Sequence, residues 1–379
     1  MTNDFYQDRE QSQVKHRILE RYLQAFSPII GSKFDEIVYV DCMAGPWESK
    51  DRGLSDTSFH TALTVFRECL IRGRCKRVRA LLIEKNPESY SRLEEYGKSV
   101  AGIEVTTKPW DFNEHVQDIV DFSRQSKDSF PFFFIDPTGW SEVTINRIRP
   151  ILRVNPGEVL INFMSSWVKR FLGDTTKPFE ELLGSGVDRL RTLQGEELED
   201  ELVDAYAVRV REAGGYTHAC AIPILMPNRD AIHYHLVYGT RNFKGLEVFK
   251  AAEAVAIPFM HDLRATAQRR RDEEDSGQGF LLAPAETYQE RRFRSFNARR
   301  RASARMAAVE LLKREGSVSY QEVFQESMQY ATVIEKDLRH WLEEWKAKGL
   351  IRYRNWGKNQ KVPHPDTIIE TLETFALTS

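Results

Sequence analysis

The order of apolar and polar positions over the first two-thirds of the chain predicts alternating helices and strands. A helix is predicted first, over Val14–Phe26, because Ile18, Tyr22 and Phe26 recur on one face. Because the strand cores that follow are almost continuously apolar, we expect a parallel, doubly wound, Rossmann-like α/β sheet. The predicted strands are Ile37–Val40, Val78–Glu84, Ile103–Thr107, Pro131–Asp136 and Glu158–Met164.

Two further apolar runs follow the fifth predicted strand. Cys220–Met226 and Ile232–Thr240 flank a short polar turn, which predicts a hairpin at the edge of the sheet. A helix over Leu246–Ala256 is then predicted to close a domain that spans residues 1–260, ending near Pro258.

The composition changes after that domain. Residues 261–302 are rich in charge and arginine, which predicts an exposed linker or loop. Residues 303–379 contain helical patterns followed by a segment that alternates like a two-stranded wing turning at 356–358. This order predicts a C-terminal winged helix-turn-helix domain. Its predicted helices are Ala304–Glu315, Tyr320–Glu326 and Thr332–Lys348.

Charge and cysteine content narrow the class of protein. The 379 residues include 54 Lys plus Arg and 56 Asp plus Glu, so bulk charge alone does not attract nucleic acid. Apolar runs are too short to cross a bilayer, and the polar N-terminus does not resemble a secretion signal, so we expect a cytoplasmic protein. The four cysteines form no C-x-x-C pair, and we expect reduced thiols and no structural metal.

Acidic side chains at the ends of three successive strands predict a cofactor site. Ligands of doubly wound sheets bind at the carboxyl ends of the strands. There Asp41, Ala44 and Gly45 form a small-residue loop, Glu84 is placed to bind the hydroxyls of a ribose, and Asp111 is placed to meet an adenine amino group. The G-x-G-x-x-G pattern that cradles a pyrophosphate is missing, which favours S-adenosylmethionine. The alternative is a plain turn with acids that cap helices.

The motif DPTGW at the end of the fourth strand is a candidate catalytic site. Asp136 and the carbonyl group of Pro137 could accept hydrogen bonds from an exocyclic amino group, and Trp140 could stack on the base. Amino-methyltransferases typically have Asp/Asn-Pro-Pro-aromatic here, and in this chain the ring comes one position later. The alternative is a structural turn whose aspartate faces the cofactor.

Basic residues suggest contact with nucleic acid. A winged helix places its longer helix in the major groove and its wing on the backbone. Acids on the same helix would oppose this, and winged helices also serve as protein-interaction modules. The candidate nucleic-acid-binding residues are Arg170, Arg299, Arg300, Arg339, Arg352 and Lys358.

Several segments together resemble the three-Cys-motif partner (TcmP) family. In order they are KHRILERYLQAF, IVYVDCMAGPWE, LLIEKNPE, FFFIDPTGW, VLINFMSSWVKRF and YHLVYGT, and the C-terminal unit also matches. The resemblance implies a class I methyltransferase-like domain, a winged helix, and a partner protein with three cysteines that is similar to radical S-adenosylmethionine enzymes. It also implies cofactor or motif roles for Asp41, Ala44, Gly45, Pro46, Glu84, Asp136, Pro137 and Gly139.

Three functional hypotheses follow. The first is an S-adenosylmethionine-dependent methyltransferase acting on an amino nitrogen of a nucleic-acid base. The second is a non-catalytic methyltransferase-like module that binds the three-Cys partner, nucleic acid or both; it is favoured by the altered DPTGW motif and by Trp47 in the first loop. The third is a regulator that senses a nucleoside-type ligand.

Overall fold

Seven strands form one sheet in the computed structural model, which describes residues 4–45, 49–173, 177–276 and 291–372. Pro46 and Trp47 of the first loop lie outside the described residues. The strand order is β3-β2-β1-β4-β5-β7-β6. The strands are β1 (Glu36–Asp41), β2 (Arg77–Ile83), β3 (Glu104–Lys108), β4 (Ser129–Ile135), β5 (Glu158–Phe163), β6 (His218–Leu225) and β7 (Ile232–Thr240).

The first five strands are parallel, and β7 runs antiparallel to both β5 and β6. Strands β1 and β5, which flank the central strand β4, are buried along their whole length, which agrees with their mostly apolar sequences. The predicted fold class, a doubly wound Rossmann-like sheet of the class I methyltransferase type, is confirmed. Its strand order turns between β1 and β4, where such sheets bind their ligands.

Helices cover both faces of the sheet. One face packs against a core shared with α1, α2, α3 and α10, and the other against α4 to α9. The helices are α1 (Glu10–Gly31), α2 (Ser58–Ile71), α3 (Pro87–Ser99), α4 (Val116–Ser123), α5 (Ile145–Leu152), α6 (Ser165–Phe171), α7 (Lys177–Leu183), α8 (Val187–Thr192), α9 (Gly195–Gly214) and α10 (Phe243–Ser276).

The prediction of an exposed linker over residues 261–302 is wrong for the part that is described. Helix α10 does not end near Pro258 but continues to Ser276, because Met260, Leu263 and Ala267 extend its buried stripe. Residues 291–302 form the first half of another helix, and residues 277–290 lie outside the described part of the chain.

The C-terminal unit combines three helices with a small antiparallel sheet of order β8-β10-β9. The predicted turn at 356–358 is not the end of a simple hairpin, because β9 pairs with a strand that begins at Ile368 and buries Ile369. The winged-helix assignment stays a prediction. The elements are α11 (Arg291–Glu315), β8 (Ser317–Ser319), α12 (Tyr320–Met328), α13 (Glu335–Ala347), β9 (Ile351–Arg354) and β10 (Ile368–Thr371).

Within the described residues, no helix is long and apolar enough to cross a membrane. The same ranges contain no group of three or more His, Cys, Asp or Glu side chains placed to hold a metal ion.

Candidate active site

A cavity of about 360 Å³ lies at the carboxyl ends of β1 to β4. Three acids predicted from the sequence contribute to it, namely Glu84 after β2, Asp111 after β3 and Asp136 after β4. We call it the first cavity. Its other lining residues are Cys42, Met43, Ile83, Lys85, Asn86, Ser89, Trp110, Phe112, Thr138 and Glu142.

Glu84 is the acid that follows β2. Its Oε1 accepts a hydrogen bond from the backbone N–H of Asn86 at 2.5 Å, and that residue in turn caps α3. Among the described residues, Oε2 of Glu84 has no hydrogen-bond partner. The side chain is therefore held at the cavity wall with one carboxylate oxygen available to a ligand.

Asp111 lies across the cavity after β3. Its Oδ1 accepts the backbone N–H of Asn113 at 2.9 Å, and Lys85 Nζ lies 3.3 Å from its Oδ2. Hydrogen bonds from Asn113 and the Lys85 ammonium together outweigh partial burial and lower the pKa of Asp111. The ring of Trp110 lines the same wall and stacks on His115, with centroids 4.7 Å apart.

Asp41 and Ala44 lie below the first loop. They line neither the first cavity nor a second cavity that adjoins it. Asp41 is fully buried and accepts hydrogen bonds from Ser58 Oγ at 2.8 Å, Tyr39 Oη at 3.0 Å and the N–H of Met43 at 3.4 Å. Burial is the main cause that raises its pKa to about 7, although hydrogen bonds oppose it. Asp41, predicted as a cofactor-binding residue, lines neither cavity and uses its carboxylate oxygens to hold the first loop.

A second cavity of about 210 Å³ adjoins the first and shares Met43, Asp136 and Thr138 with it. Gly45 and Pro137, both predicted from the sequence, line this second cavity. Its other lining residues are Arg9, Gln11, Ser12, Lys15, His16, Ser49, Asp56, Thr57, Ser58, Phe59, Asn162, Met164, His233 and Tyr234.

Asp136 stands at the junction of the two cavities. Lys15 Nζ, from α1, pairs with its Oδ2, and Asn162 Nδ2, from the end of β5, donates to its Oδ1 at 2.7 Å. A carboxylate offers about four lone-pair positions, so Asp136 retains capacity to accept from a ligand. Its orientation is set by both partners.

Polar groups of the second cavity remain unsatisfied. Among the described residues, the buried atoms Asn162 Oδ1 and His233 Nδ1 have no hydrogen-bond partner. Arg9 and Asp56 pair across the same cavity at 2.9 Å. Because buried polar groups are normally hydrogen-bonded, this lining suits a polar ligand better than an apolar one.

Trp140 does not reach either cavity. It begins a short 3₁₀ helix, Trp140–Val143, and its ring stacks on Phe179 of α7 with centroids 4.5 Å apart. Packing against that buried ring accounts for its position. The structure therefore does not support the prediction that Trp140 stacks on a substrate base.

Arg299 and Arg300, predicted to bind nucleic acid, form ion pairs within the protein. Arg299 pairs with Glu196 and Asp200 of α9, and Arg300 pairs with Asp204 at 2.6 Å. The side chain of Arg300 is only 4% exposed. These guanidinium groups join α11 to α9, which is at odds with the predicted contact to nucleic acid.

The remaining basic candidates lie on the surface. Arg170 is exposed at the end of α6, and Lys358 is exposed between β9 and β10. Arg339 pairs with Glu335 one turn earlier in α13, and Arg352 pairs with Glu370 on the adjacent strand. Acids thus already neutralise Arg339 and Arg352.

Sequence reasoning missed Lys15, Trp110 and Lys85 as site residues. Trp110 and Lys85 are direct neighbours of the predicted Asp111 and Glu84, so their position after a strand was the available signal. Lys15 had no such signal, because it lies 121 residues from Asp136 and on a helix that was assigned only by its apolar face.

The sheet order and a ligand-sized cavity at its carboxyl edge define a methyltransferase-type Rossmann fold. No family model matches the chain. No curated protein matches it either.

Solved structures of low similarity include three enzymes. The cyclopropane synthase MmaA2 from Mycobacterium tuberculosis is 8% identical, with a TM-score of 0.27, over 65% of this chain and 79% of that one. A loganic acid methyltransferase with SAH is 10% identical, with a TM-score of 0.28, over 72% and 92%. Mycolic acid cyclopropane synthase CmaA1, complexed with SAH and CTAB, is 8% identical, with a TM-score of 0.24, over 65% and 78%.

Proposed function

We propose that the protein is an S-adenosylmethionine-dependent methyltransferase. The observation that carries the proposal is the first cavity, where Glu84, Asp111 and Asp136 converge from three strand ends. In a fold of this type, that position is the default place for a cofactor.

The residues present fit an adenosine-containing cofactor. The Oε2 of Glu84 would accept a hydrogen bond from a ribose hydroxyl, and Asp111 would accept one from the adenine amino group. Trp110 offers an aromatic wall beside both. Bound there, S-adenosylmethionine would supply a methyl group activated by its sulfonium sulfur.

The second cavity would then hold the methyl acceptor. Asp136, held by Lys15 and Asn162, would accept a hydrogen bond from an acceptor N–H, and the carbonyl group of Pro137 would take a second. These contacts would orient the nitrogen, and the Asp136 carboxylate would accept the proton that the nitrogen loses. The chain's own contribution is alignment and exclusion of water.

The acceptor that we propose is an amino nitrogen of a nucleic-acid base. The polar second cavity, with unsatisfied groups on Asn162 and His233, suits a base edge that carries both donors and acceptors. As the family resemblance implies, we propose a three-Cys-motif protein as the functional partner. Co-elution of the two purified proteins on size exclusion tests that pairing, and separate elution counts against it.

A non-catalytic module remains the second candidate function. The observation that favours it is Trp140, whose ring packs on Phe179 and is not offered to a base. Such a module would bind ligands in either cavity and transfer nothing.

Transfer of a tritiated methyl group to nucleic acid separates the two candidates. Wild type and Asp136→Asn are incubated with labelled S-adenosylmethionine and total RNA or DNA, with and without the three-Cys partner. We expect label in nucleic acid with wild type and about 100-fold less with the variant, because orientation is lost. Exposed Asp262→Asn serves as the matched control. Equal labelling by wild type and Asp136→Asn contradicts the catalytic assignment.

A further inference from the structure

A charged groove of about 650 Å³ lies between α2 and α3, outside both cavities of the active site. Residues on α2 and on α3 recur at helical spacing, so each helix turns one face toward the groove. The loop residues Arg52, Gly53 and Leu54 line it as well. The helix residues that line it are His60, Leu63, Thr64, Arg67, Arg92, Glu95, Tyr96 and Ser99, and Val100, directly after α3, lines it as well.

Three arginines give this groove its charge, and we call it the arginine groove (Arg52, Arg67 and Arg92). Glu95 is the acid among its lining residues, so the lining carries an excess of positive charge. Arg52 and Arg67 are exposed, and among the described residues neither forms an ion pair. Guanidinium groups bind phosphates through paired hydrogen bonds, so unpaired arginines along a groove favour a phosphate-bearing ligand.

The contrast with the C-terminal arginines strengthens this assignment. Arg299, Arg300, Arg339 and Arg352 are all held by carboxylates. A phosphate would have to displace those acids, and it meets no such competitor at Arg52 or Arg67. Of the arginines compared, Arg52 and Arg67 are the ones ready to bind an anion.

An aromatic ring lies in the wall of the groove. Tyr96 is half-buried, its ring stands edge-on to Phe59 at 5.0 Å, and its hydroxyl lies 3.3 Å from His60 Nδ1. Burial lowers the pKa of His60, so His60 is neutral at physiological pH and holds Tyr96 by a hydrogen bond. Aromatic rings beside positive charge are typical of sites that bind single-stranded nucleic acid.

One stretch of chain contributes to the lining of both the groove and the second cavity. Ser49 and Asp56–Phe59 line the second cavity, whereas Arg52–Leu54 line the groove. A strand that places a base in the second cavity would therefore have flanking phosphates next to this loop.

We propose that the arginine groove binds the phosphodiester backbone of a single-stranded nucleic acid whose target base enters the second cavity. The proposal deepens the proposed function and rests on it for the identity of the base site. Binding to the backbone itself can be measured whether or not methyl transfer is found.

The test uses Arg52→Gln/Arg67→Gln in the full chain, with Arg153→Gln as the matched control. Arg153 is an exposed arginine between α5 and β5, and it lines neither the groove nor either cavity. Fluorescence anisotropy with a labelled single-stranded RNA or DNA 12-mer measures affinity between 50 and 300 mM salt, roughly the range where phosphate contacts are resolved. Circular dichroism checks that each variant is folded.

Loss of two phosphate contacts should reduce the steepness of log K plotted against log[salt] by about 1.4, since each contact to a single strand contributes about 0.7 to that slope. At 0.15 M salt this corresponds to roughly a tenfold loss of affinity for the double variant, with Arg153→Gln unchanged. Equal affinity and slope in wild type and the double variant overturn the proposal. So does absence of oligonucleotide binding by wild type, or an equal loss in Arg153→Gln.

Two further measurements identify the source of the phosphate and distinguish failure of backbone binding from failure of the proposed methyltransferase function. A nucleoside monophosphate or inorganic phosphate that displaces the oligonucleotide at micromolar concentration would make the groove a small-anion site and overturn the backbone proposal. Titration with S-adenosylmethionine should be unaffected by the double variant. If oligonucleotide binding depends on the arginine groove but S-adenosylmethionine does not bind, the backbone-binding proposal is supported and the methyltransferase proposal is contradicted.

Discussion

The buried carboxyl group of Asp41 should make the stability of the protein depend on pH. Asp41 is fully buried below the first loop, and its pKa is raised from 3.8 to about 7. Asp41→Asn keeps the shape of the side chain and cannot ionise. Its oxygen can still accept hydrogen bonds from Ser58 and Tyr39.

The direction in which stability changes with pH follows from the difference in proton binding between the folded and unfolded states. Between pH 3.8 and pH 7 the folded state holds the proton on Asp41 and the unfolded state has lost it, so the free energy of unfolding decreases as pH rises. A pKa shift of about three units corresponds to a total change of about 4 kcal/mol in the free energy of unfolding, since one pKa unit is about 1.4 kcal/mol. From pH 5 to pH 8, wild type should lose about 3 kcal/mol relative to Asp41→Asn.

Urea unfolding followed by tryptophan fluorescence measures this difference at pH 5 and pH 8. The control is Asp262→Asn, which replaces an exposed acid on α10. A gap between wild type and Asp41→Asn that stays constant within about 0.5 kcal/mol would refute the assignment of a raised pKa.

Two structural predictions concern packing around the sheet. Gly245→Ala should lower the free energy of unfolding by about 2 kcal/mol, because a Cβ there would stand 2.5 Å from Glu158 Oε1, whereas Gly186→Ala, in open space, should cost little in thermal unfolding. Arg300→Ala should cost about 2 kcal/mol, allowing for solvent at half-exposed Asp204, and should speed limited proteolysis between α9 and α11. Unchanged melting of Gly245→Ala, or unchanged proteolysis of Arg300→Ala, would count against these packing assignments.

The strands were predictable because burial on both faces leaves a plain signal in the sequence. The run Pro131–Ile135 is apolar throughout, and the predicted strand, Pro131–Asp136, differs from the observed strand, Ser129–Ile135, only at its ends. The full length of α10 was not predictable in the same way, because Pro258 and the charge run beyond it are local signals for an ending. Packing of α10 on α1 overrides them.

The site was predictable where function follows from strand ends. Glu84, Asp111 and Asp136 were found because parallel strands bring their carboxyl ends to one edge. Long-range pairings left no local trace. Lys15 meets Asp136 across the fold, and Arg300 meets Asp204 on a helix that lies 96 residues earlier, so charge alone suggested nucleic acid where the structure has an ion pair.

Calorimetric titration with S-adenosylmethionine and S-adenosylhomocysteine tests the central claim most directly. Wild type should bind with a Kd on the order of micromolar, about -8 kcal/mol. Glu84→Ala should bind about 100-fold more weakly, since it loses a charge-assisted hydrogen bond to the ribose worth about 3 kcal/mol. Glu88→Ala, an exposed acid in the first turn of α3, should match wild type. Absence of binding by wild type, or equal binding by Glu84→Ala, would contradict the placement of the cofactor in the first cavity.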